Sequence, residues 1–535
     1  MSTEAPPDPP ALDPAAVGAV IELLERLVAE PRRVAELSDE QRRRLMVAAG
    51  QLSRPDRYTR KAMRKGLTRK AELATRAADD ALLDATGIRA LRKLPVVQLG
   101  GVPALPPGEQ IDDAAVPDAS PDGGAWAEAE ARRDEGAPLR VREARNCYVC
   151  KADFHDLHWF YDQMCPTCAE DNWARRTQTV DLRGRVALVT GGRVKIGAEI
   201  AKKLLRAGAE TIIVTRFPVD AARRLAAEPD GEDLATRAHV FGCDLRHTPS
   251  VEALCAQLRA GWSRLDVLIN NACQTVRRPS GFYDHLLDGE RVGPDHVGPR
   301  ERAMLARWWG VHPTATPLLG AGSALATRDG EPAGLWRSAI LSQVPVLAED
   351  LERGSHLFPA GRYDADLQQV DLRDTNSWRM ALADVPTAEL LEVQLVNAIA
   401  PFVLNARLKP LLAAVPTRDA HIVNVSAMEG QFYRRFKTEK HPHTNMAKAA
   451  LNMLTRTSAA DYVRDGIYMN AVDTGWVTDE DPVQIAKMKT AVHGFHPPLD
   501  IVDGAARVLD PVFTGHATGK HVWGRFLKDY RDTPW

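Results

Sequence analysis

Hydrophobic and polar positions follow two different periods along this chain. From about residue 14 to residue 93, apolar residues recur at helical spacing, as in "VGAVIELLERLVAE" and "ADDALLDATGIRALRKL". From about residue 181 to the end, short apolar runs alternate with helical patterns, and the first four runs are "VALVT", "TIIVT", "HVFGCDL" and "DVLINNA". Strands that alternate with helices predict an α/β fold with a parallel, doubly wound sheet.

The alternation stops between Cys273 and about Glu389 and then resumes. The run "LLEVQLVNAIAPFVLNARLKPLL" predicts an apolar helix, and "HIVNVSA", "IYMNAVD" and "GKHVWGRFL" predict three further strands, which makes seven. The interrupting residues, about 274–389, are interpreted as one large insertion. Two of its segments, "RAMLARWWGVHP" and "GLWRSAILSQVPVLAED", are apolar enough to predict that the insertion is structured.

Composition completes the division of the chain into regions. Residues 1–14 are rich in proline and predict a disordered segment. Residues 15–95 form a helical region, and residues 96–140, rich in Pro, Gly, Ala and Asp, predict a linker. A cysteine module occupies residues 141–180, and the α/β domain occupies residues 181–535.

Length and charge restrict the function classes. At 535 residues and 44% hydrophobic content, the chain is long enough for two or three cores. A net charge of −2 and a pI near 6.7 give no overall attraction to nucleic acid or to a membrane. Neither a bilayer-length apolar run nor a signal peptide is expected, so the predicted location is cytoplasmic, without a membrane partner.

One stretch departs from this neutrality: "RPDRYTRKAMRKGLTRK" has eight cationic residues between Arg54 and Lys70. Contact with a phosphate backbone or an acidic partner is one interpretation. A solvated helix face is favoured because the chain as a whole is nearly neutral. Nucleic acid is therefore not expected as a partner.

Four of the seven cysteines form two C-x2-C pairs with fourteen residues between them. The pairs are Cys147 with Cys150 and Cys165 with Cys168. This spacing predicts a tetrahedral Zn²⁺ site, and four thiolates leave no open position, so the zinc is predicted to be structural. His155 and His158 are the second choice as ligands. The neighbouring Trp159, Phe160 and Tyr161 are expected to pack the module against the α/β domain, with a protein partner as the alternative.

A strand, a glycine-containing turn and an amphipathic helix follow one another in "GRVALVTGGRVKIGAEIAKKLLRAGA". Such a turn places the helix N-terminus where it can hold a pyrophosphate. Together with "DVLINNA" and "AKAALNMLTRTSAADYVRDGIYMNAVDTGWV", this segment resembles the short-chain dehydrogenase/reductase family, over about residues 182–241, 264–273 and 390 to the end. The resemblance implies a Rossmann-type fold, a nicotinamide cofactor, a small-molecule substrate and assembly as a homodimer or homotetramer.

The family's turn usually reads TGxxxGxG. The matching residues here are Thr190, Gly191, Gly192, Arg193, Val194, Lys195, Ile196 and Gly197. Lys195 stands at the position of the family's middle glycine. A lysine there is expected to lose the freedom to adopt a positive φ and to prevent close backbone approach. The turn is nevertheless similar to the TGxxxRxG form of the pteridine reductases, which bind NADPH, and a cation there can lie against phosphate.

The resemblance assigns further residues to the cofactor. Arg216 follows the second strand, where an acidic residue would bind the ribose hydroxyls of NAD, so NADP(H) is predicted. Asp244 matches the family's adenine-contacting aspartate. Asn270 and Asn271 match its "NNAG" element, with Cys273 in place of the glycine.

The family's catalytic residues are only partly present. Asn397 matches the family's asparagine, and Lys448 matches the lysine that binds the nicotinamide ribose and lowers the pKa of the catalytic tyrosine. Ser426 lies one position before the family's serine, which is Ala427 here. Thr444 stands at the tyrosine position, and a threonine hydroxyl is too weakly acidic to donate a proton at neutral pH.

In the family, the loop that precedes the lysine helix overhangs the nicotinamide. Three residues in the corresponding segment here are therefore alternative proton donors. They are Tyr433, His441 and His443. Tyr433 and Lys437 form a literal Y-x-x-x-K, which is interpreted as coincidental spacing. Histidine is a usable acid or base at neutral pH. For His443, capping of the helix start is an equal alternative.

Two functional hypotheses follow from these residues. The first is an NADP(H)-dependent oxidoreductase for an unknown carbonyl or alcohol substrate, with an altered proton relay. The second is a catalytically degenerate pseudoenzyme, a nucleotide-binding scaffold or sensor whose zinc module and basic helices engage a protein partner. The insertion is expected on the substrate side of the fold, where it would bring its own acid or seal the pocket.

Overall fold

The computed structural model describes residues 13–55, 57–92, 139–310, 337–352, 354, 356–364, 368–433, 437–478, 480–482, 485 and 496–535. The described chain divides into two compact units, Met1–Ala81 and Leu82–Trp535. Most of the predicted disordered segment and nearly all of the predicted linker lie outside the described residues.

The first unit is helical. Its elements are α1 (Pro14–Ala29), a 3-10 turn (Pro31–Glu36), α2 (Asp39–Ser53) and α3 (Arg57–Asp84), whose last three residues belong to the second unit. Asp13 caps α1, and Ser38 and Gln41 form a capping box at α2. All residues of α1 and α2 are described, and none of them is buried. These two helices therefore add no buried core to the unit.

The cysteine module belongs to the second unit. Its elements are α4 (Gly87–Arg92), β1 (Arg140–Asn146), β2 (Asp153–Asp156) and α5 (Pro166–Thr177). Strands β1 and β2 pair antiparallel. Phe160 and Tyr161 are fully buried in a cluster that also contains Val477 and Leu499 of the α/β domain. The aromatic residues thus pack the module against that domain.

The α/β domain is built on an eight-stranded sheet with the order β10-β9-β8-β7-β6-β3-β4-β5. The strands are β3 (Val186–Thr190), β4 (Glu210–Thr215), β5 (Ala238–Gly242), β6 (Val267–Asn270), β7 (Ala420–Ser426), β8 (Ile467–Asp473), β9 (Phe526–Lys528) and β10 (Arg531–Thr533). Every neighbouring pair is parallel except β9 with β10. The predicted parallel α/β sheet is confirmed, and β10 is a strand that the hydrophobic pattern does not predict.

Helices cover both faces of this sheet. They are α6 (Lys195–Arg206), α7 (Pro218–Ala226), α8 (Gly231–Ala235), α9 (Thr248–Gly261), α10 (Asp284–Glu290), α11 (Pro299–Gly310), α12 (Ser338–Leu341), α13 (Thr387–Gln394), α14 (Ala400–Ala413), α15 (Pro442–Tyr462) and α16 (Ile501–Thr518). Leu188 and Ile422 face a buried cluster that includes α9 and α14, whereas Val189 and Val423 face one that includes α16. This alternation along the strands produces the doubly wound architecture.

The insertion contains short elements. Besides α10, α11 and α12, it has 3-10 turns at Ser280–Tyr283, Pro294–His296, Ala348–Leu351, Ser377–Arg379 and Leu382–Asp384. Met304 and Trp308 of α11 pack into the core beside β5, so this helix covers the edge strand. Phe282 and Tyr283 pack on Phe217, which follows β4. Residues 280–310 of the insertion therefore lie along β4 and β5, and the expected position on the substrate side stays a prediction.

One helical stretch among the described residues, Thr387–Ala413, is long and apolar enough to cross a membrane by length and hydropathy alone. This differs from the expectation of no bilayer-length apolar run. Leu404 and Leu408 in this stretch are fully buried in the sheet core. Packing against the sheet therefore accounts for its apolar composition.

Candidate active site

The turn between β3 and α6 is closed against the end of β6. Thr190 Oγ1 accepts hydrogen bonds from the backbone N–H groups of Asn271 and Ala272, each at 3.0 Å. Asn271 Nδ2 donates to Thr190 O at 3.0 Å. Gly191 has a φ of 71°, and a Cβ there would lie 2.9 Å from Ala272 Cα. A Cβ at Gly197 would overlap the Gly191 carbonyl, so this backbone approach requires glycine.

Lys195 begins α6 with a φ of 54°, in the left-handed region. The sequence predicts that a lysine here loses the positive φ of the family's glycine. This prediction is wrong, because the backbone of Lys195 keeps a positive φ, and a side chain in that region adds strain. Burial would raise the pKa of Glu480, but the charge of Lys195 and a hydrogen bond from Thr478 lower it. A negative carboxylate therefore accompanies Lys195 beside the turn.

Arg216, directly after β4, is held by the insertion. Its Nη2 donates to the Tyr283 hydroxyl at 2.9 Å, and its guanidinium lies 5.0 Å from the centre of the Tyr283 ring. Arg193 Nη1 pairs with Asp220 at 2.8 Å. Burial would raise the pKa of Tyr283, but the charges of Arg216, Arg193 and Arg278 lower it. Cationic groups therefore predominate here. Tyr283 is a site residue that no motif in the insertion marks.

Asp244 lies just after β5 and is buried. Its Oδ1 accepts from Arg246 Nε at 3.1 Å, and its Oδ2 accepts from Arg246 Nη2 at 2.8 Å. Burial would raise the pKa of Asp244, but Arg246 lowers it. Arg246 also pairs with Glu392 of α13 at 2.9 Å. Arg246 thus fixes the orientation of the Asp244 carboxylate, for which an adenine contact stays a prediction.

Three predicted residues come together at the carboxyl end of β7. Lys448 Nζ donates to Val425 O at 2.7 Å, and Ser426 is the last residue of β7. Thr444 lies one helical turn before Lys448 on α15. The hydroxyl oxygens of Ser426 and Thr444 are buried, and neither has a hydrogen-bond partner among the described residues. Buried hydroxyls are normally paired, so these two keep unused capacity to hydrogen-bond a polar group.

Asn397 lies in a π-helical turn, Leu395–Ile399, between α13 and α14. Its Oδ1 accepts from Gln274 N at 2.7 Å, and its Nδ2 donates to Gln274 O at 3.2 Å. Turns of this kind are frequent at functional sites. Both polar groups of Asn397 therefore hold the chain where the insertion leaves the sheet.

His443 is buried against Glu389 of α13. The two side chains are each 1% exposed, and His443 Nε2 lies 3.4 Å from Glu389 Oε1. Neither ring nitrogen of His443, nor Glu389 Oε1, has a hydrogen-bond partner in the described part of the chain, so the contact between the two side chains is electrostatic. Burial would raise the pKa of Glu389, but the neighbouring side chains of His443 and Ser377 lower it. A buried imidazole oriented by a carboxylate is an arrangement suited to proton transfer. Glu389 is missed by motif reasoning, and its one signal is a carboxylate in an apolar helix pattern.

The structure places His441 and Tyr433 differently. His441 precedes α15 with a φ of 44°, and its ring stacks on Trp378 with 3.9 Å between centres. Burial lowers the pKa of His441. The Tyr433 side chain is 97% exposed, so the structure does not bring it to the buried cluster. The position before the helix belongs to His441, which removes the capping alternative for His443.

The four module cysteines converge in space. The Sγ atoms of Cys147, Cys150, Cys165 and Cys168 all lie within 4.8 Å of one another. Those of Cys150 and Cys165 are 3.7 Å apart, close to the roughly 3.8 Å that tetrahedral Zn–S bonds of about 2.3 Å require. Burial would raise the pKa of Cys147, but backbone N–H groups, first that of Cys165, lower it to about 7. The donor set fits Zn²⁺. Among the described residues, neither His155 nor His158 belongs to the group.

Two family models match parts of this chain. A short chain dehydrogenase model matches residues 185–285. An Enoyl-(Acyl carrier protein) reductase model matches residues 374–497. The first range contains the glycine turn, and the second contains Lys448. Most of the insertion lies between the two.

Similar proteins span different shares of the chain. An uncharacterized protein of Acanthamoeba polyphaga mimivirus is 30% identical over 386 residues, which is 70% of this chain and 73% of that protein. A fatty acyl-CoA reductase of Acinetobacter baylyi is 35% identical over 113 residues, 21% of this chain and 37% of that protein. Among solved structures, the Pseudomonas aeruginosa RhlG/NADP active-site complex is similar with a TM-score of 0.39 and 19% identity, covering 65% of this chain and 95% of that one.

Proposed function

Because the chain belongs to the short-chain dehydrogenase/reductase family, we propose that it is an NADP(H)-dependent oxidoreductase with an altered proton relay. Its proposed substrate is a small carbonyl compound or alcohol. When bound, the cofactor would supply or accept a hydride at its nicotinamide. The residues of this chain would orient the reactants, exclude water and move the proton.

The observation that carries the proposal is the buried polar group at the carboxyl end of β7. Lys448 is fixed by Val425 O, and the hydroxyls of Ser426 and Thr444 have no partner among the described residues. A ribose hydroxyl or a substrate oxygen would supply those partners. The turn that begins at Thr190 would hold the pyrophosphate at the N-terminus of α6.

The proton would pass through His443 rather than Thr444. The ionised Glu389 carboxylate faces the Nε2 side of the ring at 3.4 Å, and Nδ1, on the other side, would carry the transferred proton. In the reductive direction, the ring would donate its proton to the substrate oxygen. In the oxidative direction, it would accept the proton of the alcohol.

NADP(H) is proposed over NAD(H) because two arginines lie where the turn and β4 end. Arg216 donates one N–H group to the Tyr283 hydroxyl, and the other N–H groups of the guanidinium would bind a 2′-phosphate. Arg193 adds a second positive charge, partly offset by Asp220. The four-cysteine group would bind a structural zinc, since its geometry leaves no position for substrate.

Binding titrations with NADPH and NADH, followed by turnover assays with carbonyl substrates, test this proposal. The unmodified protein should bind NADPH more tightly. The change Arg216→Asp should weaken NADPH binding by about 10- to 100-fold, the loss expected for charged hydrogen bonds. Arg531→Asp, at an exposed position on β10, is the matched control and should change neither affinity. Lys448→Ala should lower turnover by roughly 10²-fold or more, because it misplaces the reactants.

Two outcomes contradict parts of the proposal. Equal affinity of the unmodified protein for both nucleotides would exclude the preference for NADP(H). Binding of NADPH that is never consumed, with Lys448→Ala indistinguishable from the unmodified protein, would favour the pseudoenzyme hypothesis.

A further inference from the structure

The segment after β8, residues 474–478, is held by the cysteine module, and we call it the β8 loop. Tyr148 stands between Cys147 and Cys150, and its hydroxyl oxygen accepts the backbone N–H of Trp476 at 3.1 Å. Gly475 has a φ of 78°, and a Cβ there would lie 3.1 Å from the same hydroxyl. The knuckle and the loop backbone are therefore in direct contact.

One end of the β8 loop is tied to the β7 residues of the candidate active site. Asp473 Oδ1 accepts from Gly475 N at 2.7 Å, and its Oδ2 accepts from Met428 N at 2.6 Å. Asp473 is also the strand partner of Ser426 in the β7–β8 pairing. A shift of the loop would therefore reach the residues around Ser426.

The other end of the β8 loop lies beside the nucleotide turn. A Cβ at Gly504 would lie 2.9 Å from Ile196 and 3.2 Å from Val477, so α6 and the loop meet at this glycine. Thr478 Oγ1 donates to Glu480 at 2.7 Å. Because the loop begins beside the Asp473–Ser426 strand pair and passes near the start of α6, it borders both ends of the proposed cofactor site.

We propose that Tyr148 is a positioning residue, through which the zinc-binding knuckle holds the β8 loop in the conformation that binds the cofactor. This rests on the proposed function, since it takes the cofactor to lie between Lys448 and the glycine turn. A metal fixes the knuckle backbone on both sides of Tyr148, and the fixed hydroxyl then restrains the loop. The module would thus contribute to cofactor affinity without touching the cofactor.

The test compares Tyr148→Phe with Tyr462→Phe. Tyr462, on α15, is the matched control because its hydroxyl also makes one hydrogen bond to a backbone group, which it donates to Asn405 O at 3.1 Å. Three quantities are measured for each variant: zinc content, amide hydrogen exchange of Gly475 and Trp476, and the Kd for NADPH. Tyr148→Phe should keep its zinc, exchange the Trp476 amide faster by roughly 3- to 10-fold and weaken NADPH binding by a similar factor, the range for one lost hydrogen bond. Tyr462→Phe should change none of the three quantities.

Amide exchange decides the inference separately from the proposed function. Unchanged exchange at Trp476 in Tyr148→Phe would overturn the inference even if the unmodified protein binds NADPH. Faster exchange with an unchanged Kd for NADPH would overturn it as well. Loss of zinc from Tyr148→Phe would also overturn it, because the hydroxyl would then hold the module rather than the loop. Failure of the unmodified protein to bind NADPH would instead contradict the proposed function and, with it, the role of the β8 loop.

Discussion

At the scale of single residues, the proposed proton relay rests on the buried pair of His443 and Glu389. The carboxylate and the imidazole are each 1% exposed, so water does not screen their interaction. A buried carboxylate without a partner is costly, and the side chains of His443 and Ser377 beside Glu389 lower its pKa and favour the charged form. Glu389 therefore keeps a negative charge next to the proposed acid or base.

We expect His443→Gln to lower kcat by roughly 10²- to 10⁴-fold, the usual contribution of a positioned acid or base. Glu389→Gln should lower kcat by a smaller factor, because the ring remains and only its orientation and charge change. Steady-state assays with NADPH measure both effects, and the KM for NADPH should change little. Tyr433→Phe is the control and should retain full activity, since that side chain is 97% exposed. Full activity of His443→Gln, or loss of activity in Tyr433→Phe, would move the relay to another residue.

Family motifs locate some site residues well and others poorly. Lys448 matches a family motif and Ser426 lies one position from another, and the structure brings both to the carboxyl end of β7. The literal Y-x-x-x-K that begins at Tyr433 has the right spacing in the wrong element. Glu389 escapes sequence reasoning because its partner, His443, lies on another helix. Contacts between distant elements have no periodic signature in one sequence.

At the scale of elements, burial on both faces makes strands readable from the sequence. All five residues of β3 and all seven of β7 are buried. Strand β3 appears as an unbroken run of apolar or small residues, and β7 appears as a mostly apolar run that also contains His421 and Asn424. Strands β1 and β10 are mostly exposed and lack such a run. The apolar residues of α11 predict a structured segment. Its position on the edge strand β5 follows only from tertiary packing.

The cysteine module is the element whose stability should depend most on a ligand. We expect about one tightly bound zinc per chain, since four thiolates complete a tetrahedral site. Cys165→Ser should lower zinc content and solubility, because metal binding supplies part of the folding free energy of a small module. Metal analysis of purified variants measures this. Cys273→Ser, at an exposed thiol outside the group, is the control and should keep its zinc. Full retention of zinc by Cys165→Ser would shift the ligand set toward His155 and His158.

At the scale of the whole molecule, the amino ends and the carboxyl ends of the strands hold different titratable groups. His421 lies near the amino end of β7, whereas Ser426 ends the same strand at the candidate active site. His421 Nε2 lies 2.9 Å from His521 Nδ1, and His516 Nδ1 lies 3.4 Å from Asp419. Burial lowers the pKa of all three histidines, and that of His516 to about 4. Acidification should therefore lower stability through the histidines at the amino ends of the strands, separately from any chemistry at the carboxyl ends.

We expect the free energy of unfolding to decrease as the pH falls from about 6.5, the ordinary pKa of histidine, toward about 4. The folded pKa of each histidine lies below its unfolded value, so the unfolded chain binds more protons in this window and acid favours unfolding. For His516, a shift from 6.5 to about 4 corresponds to about 3 kcal/mol. Urea unfolding at several pH values measures the slope. His516→Gln should flatten it, whereas His296→Gln, at an exposed position in the insertion, should leave it unchanged. Equal slopes for the unmodified protein and His516→Gln would place the acid sensitivity in other groups, because glutamine takes up no proton in this range.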